Sequence, residues 1–143
     1  MNILYLPFLL QGFVMFADEF IFHERRGLPK WERWGHPLDT LSVISTFVYL
    51  LYISFHLSAY IGLCIFSCLL ITKDEFIHAE KCSRGEHLLH ALLFILHPIS
   101  FLSAYLLFEQ GDLWLIRVQF FTMLFFLFYQ IFRWSKPWQI LLR

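Results

Sequence analysis

Residues 85–108 read GEHLLHALLFILHPISFLSAYLLF, and this stretch decides the fold. After its first turn it is almost continuously apolar, and it is long enough for a bilayer crossing, which needs about 20 mostly apolar residues. Its amino-terminal half nevertheless carries Glu86, His87, His90 and His97. Ionisable side chains at membrane depth are costly and are typical of functional sites. The stretch therefore predicts a membrane helix that carries part of a polar site.

The composition of the whole chain supports a membrane protein. Of the 143 residues, 59% are hydrophobic and only 15% are charged, whereas a soluble domain is roughly half apolar and about a quarter charged. This balance excludes a disordered chain, a coiled coil, a collagen-like repeat and a nucleic-acid-binding protein. We therefore predict that residues 1–143 form a single transmembrane helical domain of the all-α class.

Apolar segments of membrane-spanning length recur along the chain. The longest run, residues 38–71, has no charged residue after Asp39. It would form about 50 Å of helix at about 1.5 Å per residue, so we divide it into two crossings. The sequence thus predicts a polytopic helical bundle with about five transmembrane helices, at about residues 3–22, 36–55, 57–78, 85–108 and 113–134.

The basic residues indicate the orientation of these five crossings. Of the 11 Lys and Arg residues, only Arg117 falls on the far side of the predicted topology. Short cytoplasmic loops are enriched in Lys and Arg. We therefore expect an integral protein of an inner or plasma membrane, with the amino terminus outside and the carboxyl terminus cytoplasmic. The residues on the cytoplasmic side are Arg25, Arg26, Lys30, Arg33, Lys73, Lys81, Arg84, Arg133, Lys136 and Arg143.

Carboxylates and imidazoles gather at the four helix ends that this topology places at the cytoplasmic surface. Many are three or four residues apart, a spacing that puts two side chains on one helix face. We therefore predict a metal site at these cytoplasmic helix ends. Its candidate ligands are Glu19, His23, His36, Asp39, Glu75, His78, Glu86, His87, His90 and His97. Two further carboxylates are expected to orient the imidazoles rather than to bind metal, namely Asp18 and Asp74.

A short internal repeat suggests that the site has two halves. The tripeptide at residues 18–20, Asp-Glu-Phe, recurs at residues 74–76, and a His follows each copy near a helix end. Two hairpins with their own ligand sets would bring two metal ions together. Mixed imidazole and carboxylate ligands suit iron, manganese and zinc, and carboxylates can bridge paired ions. We therefore expect two metal ions, with iron favoured and zinc as the alternative.

This arrangement resembles the integral-membrane, histidine-rich di-metal oxidoreductases, which comprise fatty-acid desaturases, hydroxylases and alkane hydroxylases. The resemblance covers the polar patches at about residues 18–39 and 74–97. Those families use His-x-x-x-His and His-x-x-His-His boxes, whereas this chain has no His-His pair and more carboxylate. Glu75-x-x-His78 is also similar to the motif of di-iron carboxylate bundles. The resemblance implies a di-iron oxidoreductase that acts on a lipid-like or apolar substrate with an external electron donor.

Two other classes of function stay open at this point. A zinc-dependent membrane hydrolase would use about three of the ligands and activate a water, with Glu75 or Glu86 as the base. A haem- or quinone-linked electron carrier without its own catalysis would need two His that face each other across the bundle. A metal transporter is disfavoured because the half of the membrane beyond His97 carries few polar residues.

The remaining reactive side chains fit packing roles. Cys64 and Cys68 lie in an apolar segment and are interpreted as small packing residues. Cys82 would join the site only if the third helix continued past Lys81. His56 falls at the opposite membrane surface and is interpreted as structural. The oligomeric state does not follow from the sequence.

Overall fold

The computed structural model describes residues 2–74 and 82–134, with Arg26 and Asp74 described by their backbone alone. Within these residues the protein contains five main helices and no strands, so the predicted all-α class is confirmed. The helices are α1 (Ile3–His23), α2 (Glu32–Tyr52), α3 (Leu57–Ile71), α4 (Arg84–Glu109) and α5 (Trp114–Trp134).

Helix α1 changes its geometry along its length. It begins with a 3-10 turn at Ile3–Tyr5, continues as an α-helix over Leu6–Ala17 and becomes a π-helix over Asp18–His23. One further turn, Glu24–Arg26, ends at Gly27, whose φ of 73° is readily adopted only by glycine. A π-helix hydrogen-bonds from residue i to residue i+5, is rare and occurs frequently at functional sites.

Helix α2 begins at Glu32, about four residues before the predicted start near His36. Proline is common at the first helical position, so His36-Pro37 suggested a helix entry. Pro37 instead lies inside the helix, after its first turn. The earlier start matters for function because it places Glu32 and His36 on the same helix, four residues apart.

The other helices end close to their predicted bounds, with one exception. Helices α4 and α5 agree with the predictions to within one residue at each end. Helix α3 was expected to reach His78, but its α-helical part ends at Ile71 and a 3-10 turn covers Thr72–Asp74. Glu75 and His78 lie outside the described residues.

Within the described residues, three helices are long and apolar enough to cross a membrane, namely α1, α4 and α5. Helix α3 is apolar but has only 15 residues. Helix α2 has 21 residues and is long enough, but it is not among the three because it is less apolar. Its buried residues include the polar side chains Glu32, Thr40, Ser42 and Thr46. The length-and-composition criterion therefore supports three of the five predicted crossings.

The bundle has an aromatic centre and an apolar outer surface. Phe47 lies between Phe8 and Phe101, with ring centroids 6.4 Å away on each side. On the outside, large apolar side chains such as Phe13 and Phe121 remain exposed. A soluble monomer rarely exposes so much contiguous apolar surface. This surface is suited to lipid, in which packing and hydrogen bonds hold helices together.

The two ends of the bundle carry different polar contacts. At one end, Asn2 Nδ2 donates to Gln110 Oε1 (3.0 Å), which joins the start of α1 to the link between α4 and α5. At the other end, Arg133 donates to both carboxylate oxygens of Glu24, at 2.7 and 2.6 Å. Four helix termini meet on this second side of the bundle: the carboxyl termini of α1 and α5 and the amino termini of α2 and α4. It holds the candidate site.

Candidate metal centre

Four buried side chains from α1 and α4 form the first ligand group: Asp18, His23, Glu86 and His90. One potential ligand atom from each lies within 4.8 Å of the others. His23 Nε2 lies 3.3 Å from Asp18 Oδ2 and 3.7 Å from Glu86 Oε1. His90 Nε2 lies 3.3 Å from Asp18 Oδ1. The start of α4 is fixed by Ser83, whose Oγ accepts from the Glu86 backbone N–H (3.3 Å).

A second ligand group shares His23 with the first. It consists of His23, Glu32 and His36, again with ligand atoms within 4.8 Å of one another. The rings of His23 and His36 are 4.6 Å apart between centroids. Glu32 is completely buried. The two groups together bring five side chains from α1, α2 and α4 around the imidazole of His23.

Both ring nitrogens of His23 are buried, and neither forms a hydrogen bond within the described part of the chain. Carboxylate oxygens face them at longer distances, from 3.3 Å at Asp18 to 3.7 Å at Glu86. Buried polar atoms almost always have a hydrogen-bonding partner, so this arrangement needs an explanation. A cation between the imidazole nitrogen and the carboxylates would bind both types of ligand.

Negative charge is concentrated in this buried region. Asp18, Glu32 and Glu86 are all at most 6% exposed. Carboxylates at such distances repel one another when ionised, and burial adds a desolvation cost. A bound divalent cation is one arrangement that would reduce both penalties. The charge of the cluster is therefore compatible with a bound cation.

The carboxylate next to the cluster in sequence has a partner of its own. Glu24 accepts two hydrogen bonds from Arg133 and one from the hydroxyl of Tyr129 (2.5 Å). The guanidinium of Arg133 holds the pKa of Glu24 below its usual range, mainly through these hydrogen bonds. Glu24 is therefore an ionised structural group that joins α1 to α5, and it belongs to neither ligand group.

The structure places the neighbouring carboxylates Asp18 and Glu19 differently from the sequence interpretation. Asp18, predicted to orient an imidazole, lies in the ligand group. Glu19, predicted to be a ligand, accepts hydrogen bonds from Gln130 Nε2 (3.1 Å) and Trp134 Nε1 (2.8 Å). Its Oε2 also lies 3.6 Å from His23 Nδ1. The π-helix explains the difference, because it brings residue 18 rather than residue 19 to the ligand face of His23.

Three further predicted ligands lie outside both groups. Asp39 forms an ion pair with Lys73, whose Nζ lies 2.6 and 2.7 Å from its two carboxylate oxygens. His97 lies about two helical turns beyond His90 on α4 and is hydrogen-bonded to other side chains, described below. His87 is only half-buried, because it follows Glu86 by one residue and so points in another direction around α4.

Three other sequence predictions cannot be placed. Glu75 and His78 lie outside the described residues, and the side chain of Asp74 is not described. Within the described residues no cysteine forms a disulfide bond, and neither ligand group includes Cys82. Within the described residues, the first copy of the repeat, residues 18–20, provides a member of a ligand group, and the side chains of the second copy, residues 74–76, are not described.

Sequence reasoning missed one member of the cluster, Glu32. The available signal was its spacing, since Glu32 precedes His36 by four residues. That signal was obscured because the surrounding segment is highly charged and contains Gly and Pro, a composition typical of loops. The segment was therefore interpreted as an interfacial link rather than as the first turn of α2.

A cavity opens between the helices beside the cluster. It holds about 740 Å³ of empty space, including its open mouth. Asp18, His36 and His90 are at its polar end, and Gln11 and His97 line it deeper in the bundle. The intervening walls are apolar and include Met15, Val43, Leu93 and Phe94. Such a mixture of apolar walls and a few polar groups is typical of a small-molecule site.

Comparisons with known proteins assign this chain to no family. No family model, no curated protein and no solved structure matches it.

Proposed function

We propose that this protein is a membrane-embedded metalloprotein with two bound metal ions, iron being favoured, and that it acts as an oxidoreductase on an apolar substrate. The observation that carries the proposal is the convergence of two ligand groups on the buried imidazole of His23. A single structural imidazole would need no such set of carboxylates and histidines around both of its nitrogens.

The ligand chemistry supports a first-row transition metal. The first group offers two imidazoles and two carboxylates, and the second adds one imidazole and one carboxylate, because the two groups share His23. Imidazoles suit iron and zinc, and two His with one carboxylate and open positions are typical of non-haem iron that reacts with oxygen. Bound iron would supply the redox chemistry with oxygen. The protein would hold the ions, keep water out and orient the imidazoles.

Glu19 has the properties of a group that orients His23. Its carboxylate is fixed by two donors from α5, and it faces His23 Nδ1. A carboxylate that accepts from one imidazole nitrogen directs the other nitrogen toward a metal and makes it a better ligand. In this arrangement Nε2 of His23 is directed toward Asp18 and Glu86.

The cavity supports an apolar substrate. It begins at the cluster and has apolar walls, and it lies within a bundle whose outer surface is also apolar. A lipid-like molecule would enter such a cavity from the bilayer. Oxidation of this molecule by oxygen would require electrons from an external donor. Carboxylates beside the cluster would deliver the accompanying protons.

The membrane setting is part of the same proposal. We infer that α2 and α3 also lie within the bilayer, which gives five crossings with the amino terminus outside and the carboxyl terminus cytoplasmic. The basic residues near the cluster end of the bundle support this orientation. The metal centre would then lie near the cytoplasmic surface of an inner or plasma membrane.

One observation favours a second candidate, the zinc-dependent membrane hydrolase. The first group contains four ligands, which is the coordination number of zinc in most protein sites. A hydrolase would keep one of these positions for an activated water and would use a carboxylate such as Glu86 as its base. This alternative leaves Glu32 and His36 without a ligand role.

Elemental analysis of the purified protein, together with its absorption spectrum, tests the proposal. The protein should be made with iron, manganese and zinc all supplied. We expect about two iron atoms per chain and no Soret band. About one zinc per chain would favour the hydrolase, and a Soret band would favour a haem-linked electron carrier. Protein without any bound metal would contradict all of the metal-based functions.

A further inference from the structure

A hydrogen-bond chain crosses the interior of the bundle deeper than the metal cluster. Gln11 of α1 contacts His97 of α4 at 3.0 Å, and the other nitrogen of His97 lies 3.0 Å from Ser67 Oγ of α3. Ser67 Oγ in turn lies 2.7 Å from Ser42 Oγ of α2. Four helices are therefore joined through four buried polar side chains.

The direction of this chain follows from its donors and acceptors. The amide Nε2 of Gln11 can only donate, so His97 Nδ1 accepts. In a neutral imidazole the proton then lies on Nε2, which donates to Ser67. Ser42 ends the chain by donating to the backbone carbonyl of Asp39 (2.7 Å). Both nitrogens of His97 are thus used.

Gln11 has hydrogen-bonding capacity that the chain leaves unused. It donates one of its two amide hydrogens to His97, and within residues 2–74 and 82–134 its carbonyl oxygen has no hydrogen-bonding partner. The side chain is only 4% exposed, yet it lines the cavity. An amide in an apolar interior is costly unless it is hydrogen-bonded. A ligand in the cavity would supply the missing partner.

The distance from Gln11 to the metal cluster is suited to an extended ligand. Gln11 precedes Asp18 by seven residues on α1, and His97 follows His90 by seven residues on α4. Each interval corresponds to about 10 Å along a helix. The cavity wall between the two polar ends is apolar, as at Leu93.

We propose that Gln11, positioned by His97, hydrogen-bonds an uncharged oxygen function of an otherwise apolar ligand whose far end reaches the metal cluster. The oxygen function is a hydroxyl or a carbonyl, since the amide offers both a donor and an acceptor. A charged head group is excluded, because nothing in the Gln11–His97–Ser67–Ser42 chain carries a formal charge to balance it. This inference rests on the proposed function for the reaction, but the binding itself requires no metal.

The test compares ligands that differ only in the oxygen. The full-length protein is purified in detergent, and binding is measured as the increase in its thermal unfolding midpoint. Decanol, the methyl ketone of the same chain length and decane are added at equal mole fractions in the micelles. We expect decanol or the ketone to bind about tenfold more tightly than decane, the value of one hydrogen bond in an apolar site. The two oxygen probes distinguish a hydroxyl from a carbonyl.

Two variants separate ligand binding from a purely structural role. Gln11→Leu removes one hydrogen bond from the chain and Ser67→Ala removes two, but only Gln11 lines the cavity. We expect Gln11→Leu to abolish the preference for the oxygen probes and Ser67→Ala to retain it. If Gln11→Leu does not fold, Gln11→Asn replaces it, because the shorter amide should weaken the preference while it remains polar.

Equal binding of decanol, the ketone and decane to the wild-type protein would overturn the inference. So would an equal loss of the preference in Gln11→Leu and Ser67→Ala, since the chain would then be only a structural link. Metal content is measured on the same samples. A preference for the oxygen probes in protein without metal would support this inference while contradicting the proposed function.

Discussion

Asp18 and His23 are five residues apart in α1, yet Asp18 Oδ2 lies 3.3 Å from His23 Nε2. The relationship depends on the π-helical geometry of Asp18–His23. In a regular α-helix, residues three and four apart share a face, which would pair His23 with Glu19 instead. The π-helix therefore places the two adjacent carboxylates against different atoms, with Asp18 at Nε2 of His23 and Glu19 at Nδ1, and we propose that Asp18 binds metal while Glu19 orients the imidazole.

The first prediction compares these two carboxylates. Asp18→Asn should abolish metal binding at the first ligand group, because it removes the charge of a ligand. Glu19→Gln should preserve the metal stoichiometry at saturation but weaken affinity by about 10- to 100-fold, as expected for a group that orients a ligand. Metal titration of the two variants measures the difference. If Glu19→Gln lost metal while Asp18→Asn retained it, the assigned functions would be reversed.

The second prediction concerns Glu32, which α2 buries completely beside His36. Glu32→Gln should reduce the metal content from about two ions per chain to about one, because only the second group contains this carboxylate. Elemental analysis measures the change. Glu24→Gln is the matched control, since Glu24 lies near the cluster but pairs with Arg133. An equal loss in both variants would indicate a general effect of charge.

The third prediction concerns Trp134, whose indole N–H donates to Glu19. Trp134→Phe should destabilise the protein by about 1.5–3 kcal/mol, the usual contribution of a hydrogen bond to a charged group. It should also weaken metal affinity in the same direction as Glu19→Gln, because Glu19 would lose one of the two donors that hold it. Trp31→Phe is the control, since Trp31 is exposed. Unchanged metal affinity in Trp134→Phe would separate Glu19 from the site.

The fourth prediction tests the orientation of the bundle. A reporter that is active only in the cytoplasm should be active when it is fused after Arg143. The same reporter should be inactive when it is inserted at Gly111. The basic residues concentrated at the cluster end of the bundle give this direction. If a reporter fused after Arg143 were found outside the cell, the predicted topology would be inverted. The metal centre would then lie at the opposite membrane surface.

Much of the fold could be predicted because apolar length decides it. Helices α4 and α5 agree with their predicted bounds, since long apolar runs end there at polar or glycine residues. The start of α2 was wrong, because Pro37 suggests a helix entry while the charged residues before it already form a helical turn. A helix that begins at Pro37 and one that begins at Glu32 have the same local composition, and tertiary packing, which buries Glu32, decides between them.

The candidate site was predictable as a region, and its detailed membership was not. Convergence of helix ends follows from the topology, and it brings His23 and His90 together as expected. The choice between Asp18 and Glu19 depends on the π-helix, which no residue pattern here indicated. Asp39 and Lys73 are 34 residues apart in sequence, so their ion pair depends on how α2 packs against α3.

The metal content of His23→Ala tests the central claim most directly, because His23 belongs to both ligand groups. His56→Ala is the matched control, since His56 is exposed at the opposite end of the bundle. We expect His23→Ala to insert into the membrane and to lose at least one of the two metal ions, because a neutral imidazole offers one ligand nitrogen, while His56→Ala keeps both. Wild-type metal content in His23→Ala would show that His23 is not a metal ligand.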